Sequence, residues 1–101
     1  MGYICHHTIV VCSWGDHINE AHDKAVDLFG ELVSPIINGL TNGYQSFFVA
    51  PDGSKEGWNT SDEMNDNRNE FVIYLKSTYC DWFEIQFGDE NGHQYIVRHS
   101  G

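Results

Sequence analysis

The chain has 101 residues, of which 41% are hydrophobic and 14% aromatic, enough for one domain with a modest core and too apolar for a disordered segment. Fifteen acidic residues against five basic ones give a formal charge of −10 at pH 7. This balance argues against direct nucleic-acid binding, which needs clustered Lys and Arg, and it suits docking onto a basic partner surface.

The cysteines indicate a reducing compartment, and the hydropathy indicates that the chain does not span a membrane. Cys5, Cys12 and Cys80 are odd in number, no Cys-x-x-Cys spacing occurs and no signal peptide precedes them. No apolar run approaches the roughly 20 residues of a membrane helix. We therefore expect a cytoplasmic protein with reduced thiols and no membrane partner.

The first predicted element is a strand over residues 3–14. It is rich in β-branched and aromatic residues, and Gly15 ends it. The run Ile9-Val10-Val11 is apolar on both faces, which is typical of a central strand.

A helix is predicted next, with Asp16 as its N-cap. It ends near Val33, because Pro35 disfavours helical geometry at Ser34 and cannot continue the hydrogen-bond ladder. Its apolar stripe repeats at steps of three and four residues: Ile18, Ala21, Ala25, Leu28, Phe29 and Leu32.

Residues 34–43 are predicted to be a loop, with turn signals at Asn38-Gly39 and Asn42-Gly43. The second predicted strand covers residues 44–50, and its Phe47-Phe48-Val49 run can be buried on both faces.

The segment Pro51–Trp58 is a candidate binding loop, because a buried strand leads into glycines, a charge pair and an aromatic residue. Amides at Gly53 and Ser54 can form an anion-binding nest, and Trp58 can stack on a base. The alternative is a solvated turn with Trp58 folded back on the core. The candidate binding residues are Asp52, Lys55, Glu56 and Trp58.

A second helix is predicted from a capping box at Thr60 and Glu63, ending near Ser77. Its polar first turns are expected to face water. The expected inner stripe is Met64, Arg68, Phe71, Val72 and Leu75.

The last two predicted strands, residues 81–87 and 93–99, form a hairpin around Asn91-Gly92. Strict alternation predicts that Phe83, Ile85 and Phe87 face the core. If the turn is the two-residue Asn91-Gly92, Phe87 lies opposite Ile96 and Glu84 opposite His99, whereas a four-residue loop shifts these partners without changing which residues share a face. The other face is then rich in Trp and Tyr, which suits an interface with a partner or a second copy, unless the long loops cover it. The candidate binding residues on that face are Trp82, Glu84, Gln86, Tyr95 and His99, and Val97 shares it.

The element order β-α-β-α-β-β predicts a single α+β domain over residues 1–101. We expect a two-layer sandwich in which both helices cover one face of a four-stranded mixed sheet.

The residues do not match a catalytic or metal-binding motif. Cys5 and His7 share a strand face, and His99 nearby would complete only half a metal site. No nucleophile elbow occurs. We expect no catalytic residues, no bound metal and no cofactor, and a binding protein rather than an enzyme.

The segments HHTIVVCSW, GYQSFFVAPDGSKEGW and DWFEIQFGDENG, with Val97-Arg98-His99-Ser100 near the end, resemble small acidic proteins of tailed phages and prophages. This resemblance implies a phage accessory protein in the cytoplasm of the host bacterium. By analogy it implies an anti-CRISPR-like inhibitor that occludes a basic surface of a host defence protein.

Two other functions remain open from the sequence. The chain could be a dimeric sponge for a nucleotide signal, built on the Tyr44–Trp58 segment. It could also be a small phosphodiesterase that uses His7 or His99 as general base.

Overall fold

The structure is a computed structural model that describes residues 6–54, 58–88 and 94–101. The strands are β1 (His6–Trp14), β2 (Ile37–Asn38), β3 (Tyr44–Val49), β4 (Asp81–Phe87) and β5 (Tyr95–His99). The helices are α1 (Gly15–Phe29), which continues as a 3₁₀ turn (Gly30–Leu32), and α2 (Asn59–Lys76).

The described strands form one five-stranded sheet in the order β2-β3-β1-β4-β5, with antiparallel neighbours throughout. The predicted α+β class with two helices is confirmed, whereas the predicted four strands and mixed sheet are wrong. The additional strand, β2, lies in the segment predicted to be a loop. A strand of two residues is too short to show the alternating pattern that predicts a strand. It is recognised as a strand only because Ile37 pairs with Ser46 of β3.

The mixed sheet was wrong because each helix connects strands that are not neighbours. Helix α1 joins β1 to β2, which run in the same direction with β3 between them. Helix α2 joins β3 to β4, with β1 between them. The strand inserted in each case runs the opposite way, so no parallel pair forms. This β-α-β-β-α-β order is the split β-α-β topology also seen in ferredoxin-like domains, here extended by β5.

Both helices pack on one side of the sheet, which we call the helix side, and the hydrophobic core lies between. The apolar stripes predicted for both helices are largely the buried ones, since each brings a row of side chains onto alternate sheet residues. Full burial of each large apolar side chain contributes about 1.5–3 kcal/mol. The core includes Ile9, Val11, Ile18, Phe29, Phe47, Val49, Phe71, Val72 and Leu75.

Neither predicted helix cap forms. Helix α1 begins at Gly15, so Asp16 lies inside the first turn, where its charge still favours the helix dipole. Helix α2 begins at Asn59 with Trp58 as the N-cap residue and no side-chain cap hydrogen bond. Thr60 therefore lies inside the helix and cannot act as the cap.

The register of the final hairpin differs from the prediction. Ile85 pairs with Ile96 and Phe83 with His99, and the register shifts between Glu84 and Ile85. The pairs expected for a two-residue turn, Phe87 with Ile96 and Glu84 with His99, are wrong. The shift leaves Val97 as one extra residue on β5, and one extra residue inverts the alternation beyond it.

The orientation of β4 is also the reverse of the prediction. Trp82 and Glu84 are 4% and 1% exposed and point to the helix side. Phe83 pairs with Val10 on the opposite side, which we call the sheet face. Alternation alone shows which residues share a side and leaves open which side the helices cover. The prediction places Phe83, Ile85 and Phe87 in the core, whereas the structure buries the opposite side of β4, which carries Trp82 and Glu84.

Candidate functional site

A buried carboxylate, Glu84, is the centre of a polar cluster between the sheet and α2. Arg98 Nε donates to its Oε1 at 2.7 Å, and Arg68 Nε lies 3.6 Å from Oε2. His7 Nδ1 lies 3.5 Å from Oε2, within ion-pair distance but without hydrogen-bond geometry. The chain has only two arginines, so both are used here.

Two asparagines of α2 orient these arginines. Arg98 Nη1 donates to Asn69 Oδ1 at 2.8 Å, and Arg68 Nη2 donates to Asn65 Oδ1. Asn65 and Asn69 are four residues apart and therefore lie on one side of the helix. The polar first turns of α2, which we expected only to face water, thus connect the helix to the cluster.

The cluster keeps Glu84 ionised. Burial by itself raises the pKa of the Glu84 carboxyl. His7 and Arg98 lower that pKa by more than burial raises it, so the pKa of Glu84 lies below its ordinary value. Because the carboxylate is 1% exposed, a substrate cannot reach it. The geometry therefore assigns Glu84 to holding β1, β4, β5 and α2 together.

The described part of the Pro51–Trp58 loop is a structural turn. Asp52 Oδ1 accepts hydrogen bonds from the backbone N of Ser54 at 3.1 Å and from its Oγ at 3.0 Å. Trp58 is 53% exposed, so it does not fold back as a lid on the core. Lys55 and Glu56 lie outside the described residues, and their binding role stays a prediction.

The hairpin residues predicted to share one exposed face do not do so. Trp82 and Glu84 belong to the core. Tyr95 Oη donates to Gln86 Oε1 at 2.9 Å, and this pair also lies on the helix side. His99 lies on the sheet face, with Nδ1 2.8 Å from the carbonyl oxygen of Ser100. The expected shared surface is wrong because of the Val97 bulge and the inverted orientation of β4.

The two candidate general bases, His7 and His99, do not lie together. His7 pairs with Gln86 on the helix side, whereas His99 pairs with Phe83 on the sheet face. The expectation that His99 lies near His7 is therefore wrong, and Cys5 lies outside the described residues. Within residues 6–54, 58–88 and 94–101, no three His, Cys, Asp or Glu side chains are placed to hold a metal ion.

The sheet face is apolar and uncovered by any described part of the chain. Phe48 and Ile96 are 43% and 56% exposed. Two depressions of about 510 Å³ each lie on this face and share Ile96 as a wall. Among the described residues, Asp81 is the one charged Lys, Arg, Asp or Glu on it. Its central apolar side chains are Val10, Phe48, Phe83, Ile85, Phe87 and Ile96.

The opposite surface of the molecule is acidic, and we call it the acidic helical layer. Its carboxylates are all exposed. Lys24 Nζ lies 3.0 Å from Glu70 Oε2, so one of the few lysines is already paired. Five carboxylates come from α1 and its 3₁₀ turn and four from α2: Asp16, Glu20, Asp23, Asp27, Glu31, Asp62, Glu63, Asp66 and Glu70.

Comparisons with protein families, with curated proteins and with solved structures found no match. Neither of the two described α-helices is long and apolar enough to cross a membrane.

Sequence reasoning missed the sheet face and the arginine pairing. The signal for the sheet face was present, since Ile9-Val10-Val11 and Phe47-Phe48-Val49 are apolar on both sides. The sole signal for the arginine pairing was an Arg, Arg68, in the inner stripe of α2. Its partner is 16 residues away along the chain, so no local spacing could identify it.

Proposed function

We propose that this chain is a non-enzymatic accessory protein that binds the basic, nucleic-acid-binding surface of a bacterial defence protein and blocks it. The contact surface is the acidic helical layer. The observation that carries the proposal is the one-sided charge: nine exposed carboxylates lie on the two helices and the turn that extends α1. A surface that carries mostly negative charge attracts positively charged partners and raises the rate at which they associate with it.

The positions of the basic residues support this proposal. Both arginines are withdrawn to Glu84, and Arg68 is buried. Lys24 is paired with Glu70 on the layer itself. Three of the four described Lys and Arg side chains are therefore engaged with carboxylates, and the fourth, Lys76, lies in the last turn of α2.

Two exposed aromatic residues lie beside this layer. Trp58 precedes α2 and Tyr79 follows it, so they mark the two ends of the helix. Aromatic side chains of this size are common anchors in protein interfaces, where steering charges supply rate and orientation. The resemblance to phage proteins supplies the biological setting, in which the target is a host defence nuclease.

The test is inhibition of purified RNA-guided nucleases from bacterial hosts, measured as cleavage of a target plasmid. Binding is measured in parallel by biolayer interferometry at 0.05 M and 0.3 M NaCl. We expect inhibition of at least one nuclease and an affinity that is at least tenfold weaker at the higher salt, because screening weakens exposed charge pairs. Equal affinity at both salt concentrations would rule out the charge-directed mechanism.

A pair of matched variants separates a local contact from an effect of net charge. One variant neutralises four carboxylates of α1 and its 3₁₀ turn: Glu20, Asp23, Asp27 and Glu31. The other neutralises four carboxylates of α2: Asp62, Glu63, Asp66 and Glu70. Each removes the same formal charge. A directed contact predicts unequal losses of affinity, with the larger at the helix that meets the nuclease. Equal losses indicate non-specific attraction and contradict the proposed docking mode.

A further inference from the structure

We propose that the sheet face binds a second copy of this chain, so that the protein is a dimer with its two sheets packed face to face. This inference is independent of the proposed function. It rests on the hydrophobic pattern of the strands, the charge of the face and its shape.

The hydrophobic pattern indicates that the sheet is covered on both sides. Ile9-Val10-Val11 in β1 and Phe47-Phe48-Val49 in β3 are continuous apolar runs. Such runs are typical of strands buried on both faces, whereas a half-exposed antiparallel strand alternates with polar residues. The helices cover Ile9, Val11, Phe47 and Val49, which leaves Val10 and Phe48 for another layer.

Charge favours a second copy over a basic protein or a nucleic acid. The described residues of the sheet face include no Lys or Arg to contact phosphates. They include a single carboxylate, Asp81, so the cations of a basic partner would be desolvated there with almost nothing to pair with. A second copy brings an equally apolar face.

The acidity of the chain does not oppose this arrangement. Sheets that pack face to face are about 10 Å apart, so two acidic helical layers on the outer sides are separated by roughly 30 Å. This distance is several times the Debye length of about 8 Å at physiological ionic strength. Association through the helices would instead bring two sets of nine carboxylates together.

The shape of the face is self-complementary. Ile96 and Phe48 project from it, and depressions of about 510 Å³ lie on either side of Ile96. A twofold interface uses the same patch on both subunits, so a projection on one copy needs a depression on the same face of the other. This face supplies both.

The area fits a reversible dimer. Five strands about 4.8 Å apart, with a mean length of about six residues, cover roughly 480 Å² per copy. Two copies together bury about 1,000 Å², which is near the lower limit for a specific protein interface. We therefore expect dissociation in the micromolar range.

The experiment is sedimentation velocity of the full chain from 1 to 300 µM in 0.15 M NaCl, with Ile96→Asp and Phe48→Asp as interface variants. Ile73→Asp is the control, because Ile73 is an exposed isoleucine of α2, away from the sheet face. We expect the wild type and the control to change from 11.5 kDa to twice that mass, and the interface variants to dissociate at least tenfold more readily.

Folding is verified for every variant by circular dichroism at 1 µM. Ile96→Thr, which keeps a β-branched side chain on the strand, serves if an Asp variant does not fold, and we expect it to weaken the dimer also. A wild-type monomer at 300 µM overturns the proposal. A dimer that Ile73→Asp disrupts and the interface variants leave intact also overturns it. Wild type that stays monomeric while binding the apolar dye ANS on this face would assign the face to a different occupant.

Discussion

At the scale of single residues, Glu84 is a buried carboxylate whose charge holds parts of the fold together. A carboxylate removed from water is stable only if its charge and lone pairs are matched. Arg98 and Arg68 supply that match, and the asparagines of α2 hold the arginines in place. The cluster connects α2 to three strands and so specifies how the helix lies on the sheet.

Replacing Glu84 with Gln should lower the free energy of unfolding by about 3–5 kcal/mol, because it breaks the ion pairs that the buried carboxylate makes with Arg68 and Arg98. Urea denaturation at pH 7 measures this loss. The matched control is Glu70→Gln, which removes an exposed carboxylate paired with Lys24 and should cost about 0–1 kcal/mol. Similar losses for the two variants would contradict the structural role of the cluster.

The same residue predicts a dependence on pH. The folded pKa of Glu84 lies below its ordinary value of 4.5, so the unfolded chain binds the proton more readily. Its contribution to stability is therefore complete above about pH 4.5 and is lost as the pH falls through the folded pKa. Wild type should lose more stability than Glu84→Gln between pH 6 and pH 3, measured by urea denaturation. Parallel pH profiles for the two proteins would show that other carboxylates account for the acid transition.

At the scale of elements, the strands and helices lie close to where the periodicity places them, and the differences come from their ends. Strand β4 covers the predicted residues 81–87, and α2 begins at Asn59, one residue before the predicted cap at Thr60. The capping box at Thr60 is a local pattern worth about 1 kcal/mol. Packing of a whole helix face outweighs it.

Thr60→Ala tests the observed start of α2. Since Thr60 lies inside the helix and is exposed, we expect a change in unfolding free energy of about 0.5 kcal/mol or less. A capping role would cost about 1 kcal/mol or more. Asp52→Ala, which removes the acceptor of both Ser54 hydrogen bonds, is the comparison and should cost about 1–2 kcal/mol in the same urea titration.

At the scale of the whole molecule, the fold separates an acidic surface from an apolar one. Along α1 and its 3₁₀ turn, acidic residues follow one another at three- and four-residue steps: Asp16, Glu20, Asp23, Asp27 and Glu31. Each such like-charged pair destabilises its helix by about 0.2–0.5 kcal/mol. The acidic helical layer therefore has a cost in stability.

Salt should consequently stabilise the folded chain. Raising NaCl from 0.01 M to 0.15 M shortens the Debye length from about 30 to about 8 Å. We expect the free energy of unfolding to rise by about 1 kcal/mol, measured by urea denaturation at a protein concentration that keeps the chain monomeric. The α1 variant that neutralises four carboxylates is the control and should respond less. A wild type that is destabilised by salt would show that exposed ion pairs dominate over repulsion.

The sequence by itself determined which segments form the helices and the long strands, and which side chains of each share a face. Periodicity identified both helices, their inner stripes and the four long strands, because local patterns of three to four and of two residues encode which side chains share a face. It also identified the acidic surface and the double-sided apolar runs. Asn42-Gly43 acts as the turn it predicted, with both residues at positive φ.

Only the tertiary structure decided which side of each strand the helices cover, the order of the strands and the partners of Glu84. The reason is that each depends on contacts between residues far apart in the chain, whereas a sequence pattern records neighbours. Pairing of Val11 with Trp82 turns Trp82 and Glu84 toward the helices, and the Val97 bulge turns His99 away from them. The residues of the predicted binding face therefore lie on two different sides of the sheet.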